Sequence, residues 1–265
     1  MPPMNCRICR AAAGFAHVGA YARCAACGGF FLPDPPALPG NAPFSGAAAA
    51  HCEAADLVRK AYFRRRLDLA LRHANVVSGP GRLVDVGCGA GILLADAAAR
   101  GWQVAGVELS PELAARAQER VPTATIVTGD AVSGTEWPWP GAADVVIALD
   151  VLEHVVDPPA LLQRCRAGLR PGGVLVVQTP NARSLRARWQ KHRWPMLDPA
   201  QHLVLYPPVQ LRHALREAGF VVETCQTVSG TSCEVGLSRI VAAAREAALS
   251  PGELGNAVLV VARAR

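Results

Sequence analysis

A buried strand that runs directly into alternating glycines and then into a helix leaves a chain few folds to choose from. Residues 82–92, Arg-Leu-Val-Asp-Val-Gly-Cys-Gly-Ala-Gly-Ile, carry that pattern. Glycines at 87, 89 and 91 let the backbone approach a ligand at the carboxyl edge of a doubly wound sheet, where such sheets bind cofactors. The spacing departs from the dinucleotide pattern G-x-G-x-x-G, because Ile92 occupies its last position. Asp85, two residues ahead of the first glycine, is ill-suited to a pyrophosphate and well suited to a cationic ligand. Glu108 closes the next strand, and its two acceptor oxygens match the two hydroxyls of a ribose.

The rest of the chain repeats the alternation. Strands are expected at 82–86, 103–107, 125–128, 144–149, 173–178, 220–227 and 257–262, and helices at 91–100, 111–120, 158–169 and 207–218. An apolar stripe of Leu57, Ala61, Leu67, Ala70 and Leu71 marks a further helix between His51 and Val77. Pro111 behind Ser110 and Pro158 near a helix start are amino-terminal signals, and Gly219 is a stop. Apolar strands alternating with helices imply an α/β fold, a doubly wound and mostly parallel seven-stranded sheet covered on both faces.

Ahead of this pattern stand Cys6-x-x-Cys9 and Cys24-x-x-Cys27. Two CxxC pairs at this separation are the spacing of a tetrahedral four-cysteine zinc site that supports a fold and leaves no open position for chemistry. Gly28 and Gly29 follow the second pair as a tight turn requires, whereas Arg10 stands where glycine is usual after the first. A redox CxxC would need a single pair in a strand-to-helix context. Disulfides would need an export signal, and MPPMNCRICR has no apolar stretch of that kind, so a cytoplasmic location is expected. No run reaches the ~18 apolar residues of a membrane span. With 51% hydrophobic residues and a net charge of +6 in 265 residues, the composition excludes a disordered chain. The charge is uneven: residues 81–180 carry −4, while 51–80 carry +3 and 181–200 carry +4.

The successive stretches VDVGCGAG, GVELS, TGDA, DVVIALDVLEHVVDP, LRPGGVLVVQTPN and HLVLYPPVQLRHALREAGF resemble the ordered motifs of Rossmann-fold (class I) S-adenosylmethionine-dependent methyltransferases. With the cysteine segment in front, the chain is similar to a subgroup that includes sugar and ubiquinone-type methyltransferases. The resemblance implies S-adenosylmethionine as donor, with Asp85 and Gly87 near its methionine part and Gly89 and Gly91 shaping the turn. It places Glu108, with Leu109 beside it, at the ribose, and Asp130 and Ala131 at the adenine. Leu149 and Asp150 fall where donor and acceptor meet. It also divides the chain into a zinc-ribbon-like module (1–33), a Pro/Gly-rich linker (34–50) and a methyltransferase domain (51–265), with an extra segment at 228–256. That segment, including a helix over Leu237–Leu249, reads as a lid edge or a homodimer contact.

An acidic middle favours a sulfonium cation. For the transfer step, His154 follows the fourth strand and is the first candidate for a general base or substrate contact, the alternative being a loop-bracing histidine. Glu153 is expected to face solvent or a backbone donor. His202 is the second candidate. Residues 181–195 hold five basic residues, no acidic ones and two tryptophans. There Arg183, Arg186 and Trp194, with Tyr206 beyond, suit a small or carrier-linked anionic acceptor, the alternative being a basic helix face in solvent. With the subgroup resemblance this implies methylation at oxygen. Arg59-Lys60 and Arg64-Arg65-Arg66 either share that face or are solvated. Two competing readings are an RNA base methyltransferase and a non-catalytic, zinc-bearing donor-binding protein. Against the first, residues 1–50 carry only +2, too sparse a footprint for nucleic acid. Against the second stand the intact Asp85, glycines and Glu108.

Overall fold

The computed structural model describes residues 5–12, 14–35, 50, 52–54, 57, 59–76, 79–228 and 254–265. Most of the expected linker, and the 229–253 stretch with its expected Leu237–Leu249 helix, lie outside them. Strand β1 (Phe15–Val18), β2 (Tyr21–Cys24) and β3 (Phe30–Phe31) come first, then helix α1 (Lys60–His73). The alternating part follows: β4 (Arg82–Val86), α2 (Ile92–Ala99), β5 (Gln103–Glu108), α3 (Pro111–Arg120), β6 (Thr125–Thr128), β7 (Ala143–Leu149), α4 (Pro158–Gly168) and β8 (Leu169–Pro180). A short helix α5 (Leu185–Gln190), a two-residue strand β9 (Val204–Leu205), α6 (Pro208–Glu217), β10 (Phe220–Val228) and β11 (Ala257–Ala264) complete the order.

The large sheet has seven strands in the order β10-β11-β8-β7-β4-β5-β6. Strands β8, β7, β4, β5 and β6 are parallel, and β11 and β10 add an antiparallel hairpin edge. The chain reverses its direction of travel between β4 and β7. A crevice therefore opens at their carboxyl ends, directly after the glycine-bearing strand. Successive residues feed opposite cores. On β7, Val145 and Ile147 join the cluster under α1 and α2, while Val146 and Ala148 join the other. The caps behave as their sequences imply: Ser110 Oγ accepts from Leu113 N at 3.3 Å, and Asp157 accepts from Ala160 N at 3.1 Å. Strand β8 begins four residues earlier than expected. Leu169 pairs with Ala143 and then the register jumps, so that Val174 pairs with Val145. Pro171-Gly172-Gly173 is thus a bulge inside one strand and not a turn before it.

The amino-terminal segment is built into the larger unit. Its β1-β2-β3 meander is extended by β9, a strand from the far side of the chain, with Phe30 opposite Leu205 and Phe31 opposite Val204. Leu32 N donates to Leu203 O at 2.9 Å and Tyr21 Oη to His202 O at 2.6 Å. Tyr21 and Phe31 share a single core with Val84, Leu152 and Leu211. A two-residue strand carries too little periodicity to be visible in sequence, which is why HLVLY gave no hint of it. Among the described residues no helix is long and apolar enough to cross a membrane.

Tyr206, a candidate acceptor contact by sequence, follows β9 into this core and is wholly buried, and its hydroxyl has no partner among the described residues. A buried hydroxyl without a partner costs ~1–3 kcal/mol. Tyr206→Phe is therefore expected to leave the urea-unfolding free energy unchanged or raise it by about 1 kcal/mol. A loss of more than about 1 kcal/mol would mean that the hydroxyl is bonded.

Candidate functional site

At the switch point lies a cavity of about 360 Å³. Gly87, Gly89 and Ile92 come from the turn and the start of α2, and Glu108 and Leu109 from the end of β5. Asp130 and Ala131 follow β6, Leu149 and Asp150 end β7, and Asp85 lies at the base. The expected donor-binding residues therefore converge on one cavity, apart from Gly91, which sits beneath it. Gly91 has φ +77°, and a Cβ there would lie 3.0 Å from Ala117 Cα, so its role is the close approach of α2 to α3. Gly87 has φ +69°, and a Cβ would come within 2.6 Å of Val151 Cγ2. Any side chain there would strain the turn and intrude on the cavity wall.

Glu108 is nearly inaccessible to solvent. Its Oε2 accepts from Gly89 N and its Oε1 from Ser110 N, both at 2.9 Å. One carboxylate thus ties the glycine turn to the end of β5, and each oxygen keeps a second lone pair for a hydroxyl. Burial raises its pKa, and the backbone amides act in the opposite direction. Asp130 is committed to its own turn, accepting from Val132 N at 3.0 Å and Ser133 Oγ at 2.6 Å.

The opposite wall holds residues from the basic helix that the sequence left either on the acceptor face or in solvent. Arg59 enters the cavity and donates to Asp150 Oδ2 at 2.5 Å; Tyr62 Oη reaches the same oxygen at 3.2 Å. Gln178 Nε2 donates to Asp150 Oδ1 at 3.1 Å, while Arg66 Nε donates to Gln178 Oε1 at 3.1 Å. Asp150 itself has φ +56°, and this ring of donors holds its strained backbone in place. The signal was present: 59, 62 and 66 share a helix face by i, i+3, i+7 spacing, whereas Arg64 and Arg65 point outward.

His154 lines the cavity and His202 stands behind it, with ring centroids 4.9 Å apart. His154 Nδ1 lies 2.8 Å from Gln201 O, and His202 Nδ1 2.8 Å from Met196 O. A carbonyl can only accept, so both Nδ1 atoms carry the proton and both Nε2 lone pairs are available. Burial lowers both histidine pKa values, favouring the neutral bases. Glu153 corrects the sequence expectation. It does not face solvent: it is 1% exposed, accepts from Thr179 Oγ1 at 2.9 Å, and its Oε1 lies 3.9 Å from His154 Nε2. Burial, reinforced by the Asp150 charge, pushes its pKa up to about 8.

The remaining acceptor candidates do not meet at this cavity. Trp194 is 3% exposed and packs on Phe30, with ring centroids 6.3 Å apart, and Tyr206 is in the core. Arg186 lies on the outer face of α5, donating to Gln190 Oε1 at 3.2 Å. Arg183 opens onto a separate cleft.

The four cysteines do converge. Cys6 Sγ lies 3.8 Å from Cys27 Sγ, Cys9 Sγ lies 3.7 Å from Cys24 Sγ, and all four sulfurs fall within 4.8 Å of one another. A tetrahedral zinc with Zn–S bonds of about 2.3 Å separates its sulfurs by about 3.8 Å, so the cage fits that ion and no disulfide. Ile8 N and Gly29 N donate to Cys6 and Cys27 sulfurs at 3.4 and 3.5 Å, as thiolate ligands require. Arg10, the departure noted in sequence, has φ +60° in the place that Gly28, φ +74°, takes after the second pair.

A seven-stranded doubly wound sheet with an acidic cavity at its switch point is the architecture of class I methyltransferases. The family model described as a methyltransferase domain matches residues 56–224. The ubiquinone biosynthesis O-methyltransferase of Xanthomonas euvesicatoria pv. vesicatoria (strain 85-10) is 32% identical over 175 residues, covering 63% of this chain and 70% of that protein. Its namesake from Chromobacterium violaceum (strain ATCC 12472) is 35% identical over 119 residues, 44% of this chain, and this chain spans only half of that relative's length. An S-adenosylmethionine dependent methyltransferase structure from Mesorhizobium loti superposes at a TM-score of 0.57 with 20% identity, over 78% of this chain and 97% of that one, a likeness of fold. The chain belongs to the methyltransferase-domain family and is a class I S-adenosylmethionine-dependent methyltransferase.

Glu153 supplies a pH test. A carboxyl whose folded pKa, about 8, exceeds its unfolded value binds its proton more tightly in the folded state. Its stabilising effect is complete below the unfolded pKa near 4.5 and is lost as pH rises toward 8, by up to about 1.4 kcal/mol per pH unit. The stability of Glu153→Gln relative to the parent should therefore climb between pH 5 and pH 8 in denaturant titrations. Parallel curves would refute the buried neutral acid.

Proposed function

We propose that this enzyme methylates a hydroxyl of a small or carrier-linked acceptor, with His154 as the general base. The observation that carries the reading is the His154 ring at the cavity wall, its Nδ1 fixed on Gln201 O and its Nε2 free of any donated proton. A hydroxyl nucleophile must lose a proton, which a neutral imidazole can take, whereas an amine already in its free form would not need this base. The relatives described above, O-methyltransferases of ubiquinone biosynthesis, support this reading. S-adenosylmethionine supplies a methyl group on a positively charged sulfur, and zinc supplies a rigid four-coordinate crosslink.

This chain's residues divide the remaining work. Asp85, Gly87 and Leu149 line the donor's methionine end, Glu108 holds the ribose, and Asp130 with Ala131 borders the base. Arg59 fixes Asp150, and Asp150 contributes negative potential beside the transfer point. His202 and the neutral Glu153 position His154 from behind. The four cysteines would hold zinc, and the cysteine module and the large sheet act as one unit through Tyr21 and β9. Positioning of nucleophile and methyl in line accounts for much of the rate.

Calorimetry should give one S-adenosylmethionine per chain, and Glu108→Ala should weaken it more than about tenfold, or about 1.4 kcal/mol. With a hydroxyl acceptor, His154→Ala should lower kcat by about 10²–10⁴ without changing donor affinity. The parent rate should rise with pH through a pKa below 6.5 and then level off, because burial favours the neutral imidazole. Full activity in His154→Ala, or transfer confined to amine acceptors, would refute the base assignment.

A further inference from the structure

A second cleft, of about 340 Å³, opens where the cysteine module meets the segment after β8. Arg23 on β2 and the Cys27-Gly28 turn form one side; Arg183 and Arg188, flanking and on α5, form the other. No acidic residue lines it. Several arginines elsewhere in this protein are matched with carboxylates, among them Arg59 with Asp150, Arg100 with Asp68, Arg116 with Glu53, Arg170 with Asp144 and Arg263 with Glu223, whereas Arg23, Arg183 and Arg188 stand exposed along the cleft. Among the described residues, none of the three cleft guanidinium groups makes an ion pair. Three like charges gathered from segments some 160 residues apart repel one another weakly in solvent, and an anion between them would turn that repulsion into attraction.

The walls are held rigidly. Asn181, wholly buried, donates from Nδ2 to Gly255 O at 2.8 Å and accepts at Oδ1 from Arg183 N at 2.8 Å, which fixes the backbone presenting Arg183. Ala182 N donates to Tyr206 O at 3.1 Å, and Ser184 Oγ accepts from Ala187 N at 3.0 Å under Arg188. On the other side the four-cysteine cluster fixes Arg23 and Gly28. Guanidinium forks lining one cleft suit the oxygens of a phosphate, and its multiple charge suits three cations better than a single carboxylate does. The cleft also lies at the same carboxyl edge as the donor cavity, since Gln178, three residues before Asn181, binds the cavity's Asp150.

We propose that this cleft is an anion subsite for a phosphate or diphosphate ester, the handle by which the acceptor is anchored while its hydroxyl reaches His154. The assignment of that anion to the acceptor rests on the proposed O-methylation; the binding itself does not. The test is calorimetry of inorganic pyrophosphate into the zinc-loaded full chain at fixed ionic strength. Binding should be saturable at one site, and Arg183→Gln/Arg188→Gln or Arg23→Gln should weaken it more than about tenfold. Arg193→Gln, an exposed charge outside the cleft, should leave it unchanged, as should saturation with S-adenosylmethionine. Three results would overturn the proposal: equal weakening by Arg193→Gln, showing a general basic field; zinc loss in the double variant, showing arginines that merely balance the thiolates; and binding only to phosphatidylglycerol vesicles, showing a lipid surface. Donor affinity measured on the same variants separates the two readings. If the donor binds and pyrophosphate does not, the subsite fails alone; if the donor fails to bind, the transferase reading fails first.

Discussion

Two hydrogen-bonded residue pairs join what would otherwise be a small metal module and a large sheet. Phe30 and Phe31 pair with Leu205 and Val204, and Tyr21 Oη donates to the carbonyl of His202. The same stretch of chain donates again, from Leu203 N to Glu153 O at 2.7 Å. The loop after β7 and the loop before β9, which carry His154 and His202, are thus clamped between the cysteine module and the sheet. Arg7, inside the first CxxC, reaches Val156 O at 3.2 Å and adds a further tie. The wall that carries His154 is thus tied to the cysteine module. In a chain whose aromatics are 5% of residues, concentrating Tyr21, Phe31 and Tyr206 at this joint places its largest apolar surfaces where two sheets must meet.

The donor side follows a different logic. It depends on backbone, and the chain needs only glycines of left-handed conformation and one carboxylate to hold it. Glu108 bridges Gly89 and Ser110, so the turn and the start of α3 move together. Asp150 is the hinge between the two sides, ending β7 with a strained φ and held by groups from α1 and β8. The acidic middle of the sequence resolves into Asp85, Glu108, Asp130 and Asp150 around one cavity.

Most of this was legible in the chain. Strand-and-glycine punctuation marks the sheet because its signals are local: an apolar run, a turn requiring positive φ, a capped helix. Cysteine spacing marks the cage for the same reason. What escaped depends on contacts between distant segments. Nothing local announces that Val204 and Leu205 pair with Phe30 and Phe31 or that Glu153 turns inward to Thr179; the helix face shared by Arg59, Tyr62 and Arg66 is legible in the spacing, but its distant partners Asp150 and Gln178 are not. The basic segment 181–195 was read as one surface, yet its members part. Trp194 is packed on Phe30, Arg186 faces outward, and Arg183 and Arg188 meet Arg23 across a cleft that no linear pattern could announce. A helix of six residues followed by a second short turn separates neighbours too sharply for composition to follow.

The central claim, that the cysteine module braces the wall carrying His154 and His202 while the central strands hold without it, is tested most directly by hydrogen exchange before and after zinc chelation. The account predicts that the amides of Leu32 and Leu203 lose protection together with those of β1 and β2, while Val84, Val86 and Val107 in the central strands keep theirs. Undiminished protection of Leu203 after the zinc is removed, or loss of protection throughout β4 and β5, would contradict it.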